Sequence, residues 1–177
     1  MNTKKKRLNK GLTEKTTAVK SKKPLFIFLG VFFGVIALYY ISVLLLEGLF
    51  DSYIAMTSYL SAGLLNLIGI ASRADAGTII TPTFVIALSF GCEGTEPIVI
   101  FMAAVLGFPA KWRKKLYGLL SGILILYFLN LIRIVLLYFI GINNFSLFDI
   151  FHTAVFPVIF IFIALVMFIY WMKWSEK

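Results

Sequence analysis

Residues 26–46 form an uncharged run of 21 residues, and this run constrains the fold more than any other feature of the chain. As a helix rising about 1.5 Å per residue it would measure roughly 31 Å, the thickness of a bilayer's hydrocarbon core. A secretory h-region is shorter, about 7–15 residues, and ends at a small-residue cleavage site, so the run reads as a retained helix. The rest of the chain agrees: 60% of its 177 residues are hydrophobic, and the mean hydropathy is +0.95. Soluble domains hold roughly 45–50% apolar residues, so the class is an integral membrane protein. The expected fold is an all-α polytopic bundle with a short extended or hairpin segment on its outer face.

Charge sets the expected orientation. Of the 17 Lys and Arg residues, nine lie within positions 1–23, four in the KWRKK segment (Lys111, Arg113, Lys114, Lys115) and two at Lys173 and Lys177. Basic residues in short flanking segments mark the cytoplasmic side. Both termini and the KWRKK loop are therefore expected on the cytoplasmic face of the membrane. Glu47, Asp51, Asp75, Glu93, Glu96 and Asp149 fall in the intervening segments. A Lys-rich, aromatic-free arm directly before a spanning helix is a topology signal held near anionic membrane lipids, so no nucleic-acid partner is expected.

The domain layout follows. Residues 1–23 form a basic cytoplasmic tail with nothing to bury, expected to be disordered. Residues 24–174 form a single membrane-embedded domain. Residues 54–72 are apolar but diluted by Thr57, Ser58, Ser61 and Asn66, and either lie in the outer interface or cross. Residues 77–91 are rich in β-branched and aromatic residues, with Gly77 and Pro82 as breakers, which suits extended backbone. A short helix is expected from Glu96 to Ala110, starting near Pro97. A second spans residues 116–140, residues 141–151 form an outer loop, and residues 153–171 return inward.

This topology gathers three reactive side chains toward the outer face. Cys92 precedes the inward helix, Arg133 lies seven residues before the expected outer end of the next, and His152 opens the last. Arg133 would be about 10 Å below its helix end, a depth that needs a compensating partner. Asn130, three residues earlier, shares its helical face and could hold the guanidinium or a substrate carbonyl. As the sole cysteine, Cys92 can form no intrachain disulfide. Its setting, GCEGTEP, allows a tight turn, and the helix that follows favours a thiolate while Glu93 and Glu96 oppose it. Asp149 is placed to orient His152. The blander readings are a buried thiol, a histidine that caps a helix, and an arginine that snorkels to Asp149 or Glu93. One histidine and one cysteine with scattered acids do not make a metal site, and no cofactor is expected.

The order GCEGTEP, then NLIRIVLLY on a helix, then FDIFHTAVFP opening a final helix resembles the exosortase and archaeosortase family. The small size is similar to that of exosortase H, and the likeness covers roughly residues 75–165. It implies a membrane-embedded cysteine transpeptidase or protease that acts on exported proteins. Their C-terminal sorting signal would consist of a short motif, a transmembrane helix and a basic cluster. The resemblance assigns the nucleophile to Cys92, the essential arginine to Arg133 and the third catalytic position to His152. Beside them, Asn130, Glu93, Gly94, Thr95 and Asp149 are read from the sequence as supporting or substrate-binding residues. The common family motif has a serine where this chain has Glu93. The competing reading is a non-enzymatic transporter or assembly subunit, which would use an intramembrane arginine but would not need Cys92.

Overall fold

The computed structural model describes residues 23–88 and 94–177. The basic tail, Cys92 and Glu93 lie outside the described residues. Among the described residues three helices are long and apolar enough to cross a membrane, as expected for a polytopic all-α protein. They are α1 (Lys23–Leu45), α4 (Trp112–Asn143) and the combined Phe145–Ser175 segment.

Between α1 and the central helix lie α2 (Glu47–Leu67) and a three-stranded antiparallel meander, β1 (Arg73–Asp75), β2 (Thr78–Ile80) and β3 (Val85–Ala87). The meander is the expected extended segment, begun four residues earlier than the sequence pattern indicated. The β1–β2 turn is Ala76–Gly77, both with positive φ (40° and 91°), the backbone a two-residue hairpin loop demands. Gly77 also lacks room for a side chain, since a Cβ would lie 2.7 Å from the Ile54 Cγ2. The sheet thereby docks on α2, with Ile79, Ile86 and Leu88 joining Ala62 and Leu65 in one apolar cluster. Ile134 and Tyr138 of α4 complete that cluster.

The 13-residue α3 (Thr95–Gly107) sits in the middle of the bundle. Helices α1, α4 and the last helix α6 (Phe156–Ser175) all pack on it. Its start agrees with the expectation, Pro97 lying in the first turn where the missing N–H costs nothing. At about 20 Å it is shorter than a hydrocarbon core. Phe108 adopts extended backbone before Pro109 and ends the helix. Phe28 of α1 meets Gly107, while Tyr39 of α1 bonds Thr95, so α1 runs antiparallel to α3.

Two expectations about α4 and its exit are corrected. The KWRKK segment is no loop: Lys111 is the N-cap, and Trp112 to Lys115 form the first turn of α4. Residues 141–151 are not a loop either. Asn144 alone breaks the helix, its side chain accepting from the Leu147 amide to start α5 (Phe145–Ile150). A π-helical turn at Phe151–Val155 then leads into α6. The polar residues that suggested a loop are absorbed locally; Asn143, for example, donates to the Phe139 carbonyl.

Candidate active site

Arg133 sits on α4 ten residues before Asn143, about 15 Å from the helix end and deeper than the sequence suggested. It does not snorkel. Only 3% of its surface is exposed, and its guanidinium lies against the rings of Phe156 (5.8 Å) and Phe160 (5.7 Å). Cation–π contact of this kind is worth more in a desolvated site than in water. Asp149, one of the two acids that the snorkelling alternative would pair with Arg133, is exposed, and its carbonyl accepts the Thr153 hydroxyl.

The π turn explains what Arg133 bonds. The Phe156 amide donates to the Phe151 carbonyl, one residue further back than in an α-helix. The next amide in register, residue 157, is a proline with no N–H. At this shift in the ladder Arg133 Nη2 donates to the His152 carbonyl at 3.3 Å. Sequence and geometry agree here: Pro157 shifts the hydrogen-bond ladder, and the shift exposes an acceptor to the arginine. π turns of this sort are frequent at functional sites.

His152 meets Arg133 through its backbone, and its half-buried ring stacks on Phe148 (5.6 Å between centroids, 16° between planes). Phe148 in turn packs edge-on against Phe84 from the β2–β3 connection. Phe84 can reach this depth because Gly141 leaves space; a Cβ there would lie 2.6 Å from the Phe84 ring. The sheet thus positions the imidazole through two aromatic rings.

The other flank is Asn130, fully buried one turn from Arg133. Gly94, in the left-handed region (φ 77°), is the N-cap of α3. A Cβ at Gly94 would lie 2.4 Å from Asn130 Cγ, so only glycine allows this contact. Thr95 follows, its hydroxyl 2.5 Å from that of Tyr39. Glu96 lies in the first turn of α3, where a carboxylate complements the helix dipole. It helps line a small cavity of about 120 Å³ with Tyr39 and Tyr40.

Gly94, Thr95, Asn130, Arg133 and His152 are thus brought to one end of the bundle. Asp149 is close by on α5, in electrostatic range of His152. Cys92 and Glu93 fall outside the described residues. Several neighbours were not singled out by sequence reasoning: Tyr39, Phe148, Phe156, Phe160, and the pair Thr57 and Tyr127, whose hydroxyls are 3.3 Å apart. Spacing carried a signal for two of them, because Phe156 and Phe160 follow His152 at helical intervals of four. Chemically, a buried guanidinium and a carboxamide beside the N-terminus of a helix are suited to hold a developing negative charge.

The family model for transmembrane exosortase matches residues 18–169, most of the chain and every site residue described in this section. No curated protein and no solved structure matches it significantly. The chain belongs to the transmembrane exosortase family, whose general role is to process sorting signals at a membrane.

Proposed function

We propose that the protein is a membrane cysteine transpeptidase or protease that cleaves C-terminal sorting signals of exported proteins, with Cys92 as nucleophile. The observation that carries this reading is the contact of Gly94 with Asn130. Asn130 and Arg133 are both buried there, and a buried guanidinium and carboxamide beside a helix N-terminus support a reaction that develops negative charge. To that reaction Cys92, two positions before Gly94 in the sequence, would contribute the nucleophile.

In this mechanism the Cys92 thiolate attacks the scissile carbonyl. Arg133, with Asn130 beside it, stabilises the tetrahedral oxyanion. His152 gives a proton to the departing amine and later takes one from the incoming nucleophile. The thioester passes either to water or to an acceptor amine. The clustering of basic residues at the termini and at Lys111 to Lys115 supports cytoplasmic ends and a site on the outer side of the cell inner membrane. A substrate with its own spanning helix and basic tail would present its motif at that depth.

The test is processing of a precursor that carries such a signal, in cells with wild-type or Cys92→Ala protein. The variant should leave the uncut precursor in the membrane at normal enzyme levels. Continued cleavage would remove Cys92 from the mechanism and favour a non-enzymatic role.

A further inference from the structure

At the end of α4 opposite Arg133, helices α4 and α6 leave a groove of about 620 Å³ between them. Gly118, Ser121 and Gly122 line it on α4, and Tyr170, Trp171 and Trp174 on α6. From Tyr117 to Ile125 its α4 side is about 12 Å long. A helix of that length and roughly 10 Å diameter occupies about 940 Å³, more than the groove holds, whereas an alkyl chain is slim enough to lie within it.

The groove's polar end carries the charge. Arg113 lies one turn before Tyr117 on the same face of α4, and Lys173 lies one turn after Tyr170 on α6; both are exposed. Their neighbours are committed elsewhere. Lys114 Nζ donates to the Ser175 carbonyl and sits 5.7 Å over the Trp174 ring. Lys115 Nζ donates to the Leu106 carbonyl at the end of α3. Tyr117 and Tyr170, one turn inside the cations, with Trp174 beside Lys173, form the aromatic level found where headgroups begin. A second copy of the chain would bring the same cations face to face, so charge disfavours it.

We propose that this groove binds an anionic phospholipid, one acyl chain between α4 and α6 and the phosphate on Arg113 and Lys173. Basic pockets between membrane helices take anionic headgroups in this way. The site is separate from the Cys92 chemistry and does not depend on it.

The experiment uses the full chain in nanodiscs, comparing phosphatidylglycerol with phosphatidylcholine of identical acyl chains, read by thermal unfolding and by lipid retained in native mass spectrometry. Phosphatidylglycerol should raise the unfolding temperature more and be retained preferentially. Arg113→Gln with Lys173→Gln should weaken that preference by about tenfold or more, as expected for two interfacial charges. Ser121→Trp, which fills the groove while leaving both cations, should lower retention of both lipids. Equal stabilisation by the two lipids would overturn the proposal, as would a preference unchanged in both variants. A dimer that Ser121→Trp dissociates would instead assign the groove to a second copy.

Discussion

Helix α4 is held in the bundle in two different ways along its 32 residues. Its first half presents glycines. A Cβ at Gly118 would lie 2.2 Å from Trp171 Nε1, and one at Gly122 would lie 2.0 Å from the Phe101 ring, so large aromatic side chains pack against bare backbone. Its second half presents Asn130 and Arg133, both buried. There, contact is made by hydrogen bonding and cation–π geometry, with glycine on the partner segment at Gly94 and on α4 itself only at Gly141. Around Gly118 and Gly122 the first half relies mainly on shape, with polar contacts gathered at its first turn, where the Lys114 carbonyl accepts from Trp171 Nε1 and Lys114 Nζ donates to the Ser175 carbonyl. The second half retains polar groups whose burial is costly unless they are satisfied. Such groups persist in an apolar protein when chemistry requires them.

The contrast predicts different consequences for substitutions in the two halves. The largest effect is expected at Arg133→Lys, which keeps the charge but loses the planar fork that reaches the His152 carbonyl and the Phe156 and Phe160 faces. Turnover of a sorting-signal substrate should fall about 10²–10³-fold, the loss typical of removing one oxyanion donor. Wild-type turnover with lysine would reduce Arg133 to a generic positive charge.

Gly94→Ala comes next. It forces a side chain into a left-handed position and onto Asn130, a cost of about 1–3 kcal/mol. Because the strain sits two residues from Cys92, turnover should fall at temperatures where the protein is still folded. A loss of thermal stability with turnover per folded molecule intact would detach Gly94 from the site.

The smallest catalytic effect belongs to Gly122→Ala. The added methyl overpacks Phe101 and should destabilise by about 1–3 kcal/mol. Turnover measured below the lowered unfolding temperature should match the wild type. A selective loss of turnover would mean that the two halves are not energetically separate.

Much of this arrangement was legible in the sequence, for reasons that the residues make plain. The three long apolar runs face lipid over much of their length, so hydropathy alone marked α1, α4 and α6. Pro97 and the β-branched stretch with Gly77 and Pro82 marked the start of α3 and the extended segment. Helix α2 was harder to read. Its polar residues Thr57, Ser58 and Ser61 dilute the pattern because they are buried within the protein, Thr57 facing Tyr127. The segment after Asn143 was misread because Asn144, Ser146 and Asp149 resemble a loop, yet Asn144 is a helix cap. In the site, the spacing of Asn130 and Arg133 was visible, and so was His152 at the entry to the last helix. The Arg133 contact with the His152 backbone was not, because it depends on a hydrogen-bond shift created by Pro157. The aromatic relay from Phe84 to His152 likewise requires the sheet to be docked first.

The central claim is that acyl transfer passes through Cys92, and a covalent intermediate tests it most directly. Incubating the full-length protein with a sorting-signal precursor, quenching in acid and measuring intact mass should reveal the upstream part of the substrate attached to the enzyme. As Cys92 is the only cysteine in the chain, a thioester can form nowhere else. The account predicts an adduct that neutral hydroxylamine releases, mapped to the peptide containing Cys92 and missing in Cys92→Ala. Cleavage that proceeds with no adduct on that peptide, and equally fast in Cys92→Ala, would contradict it.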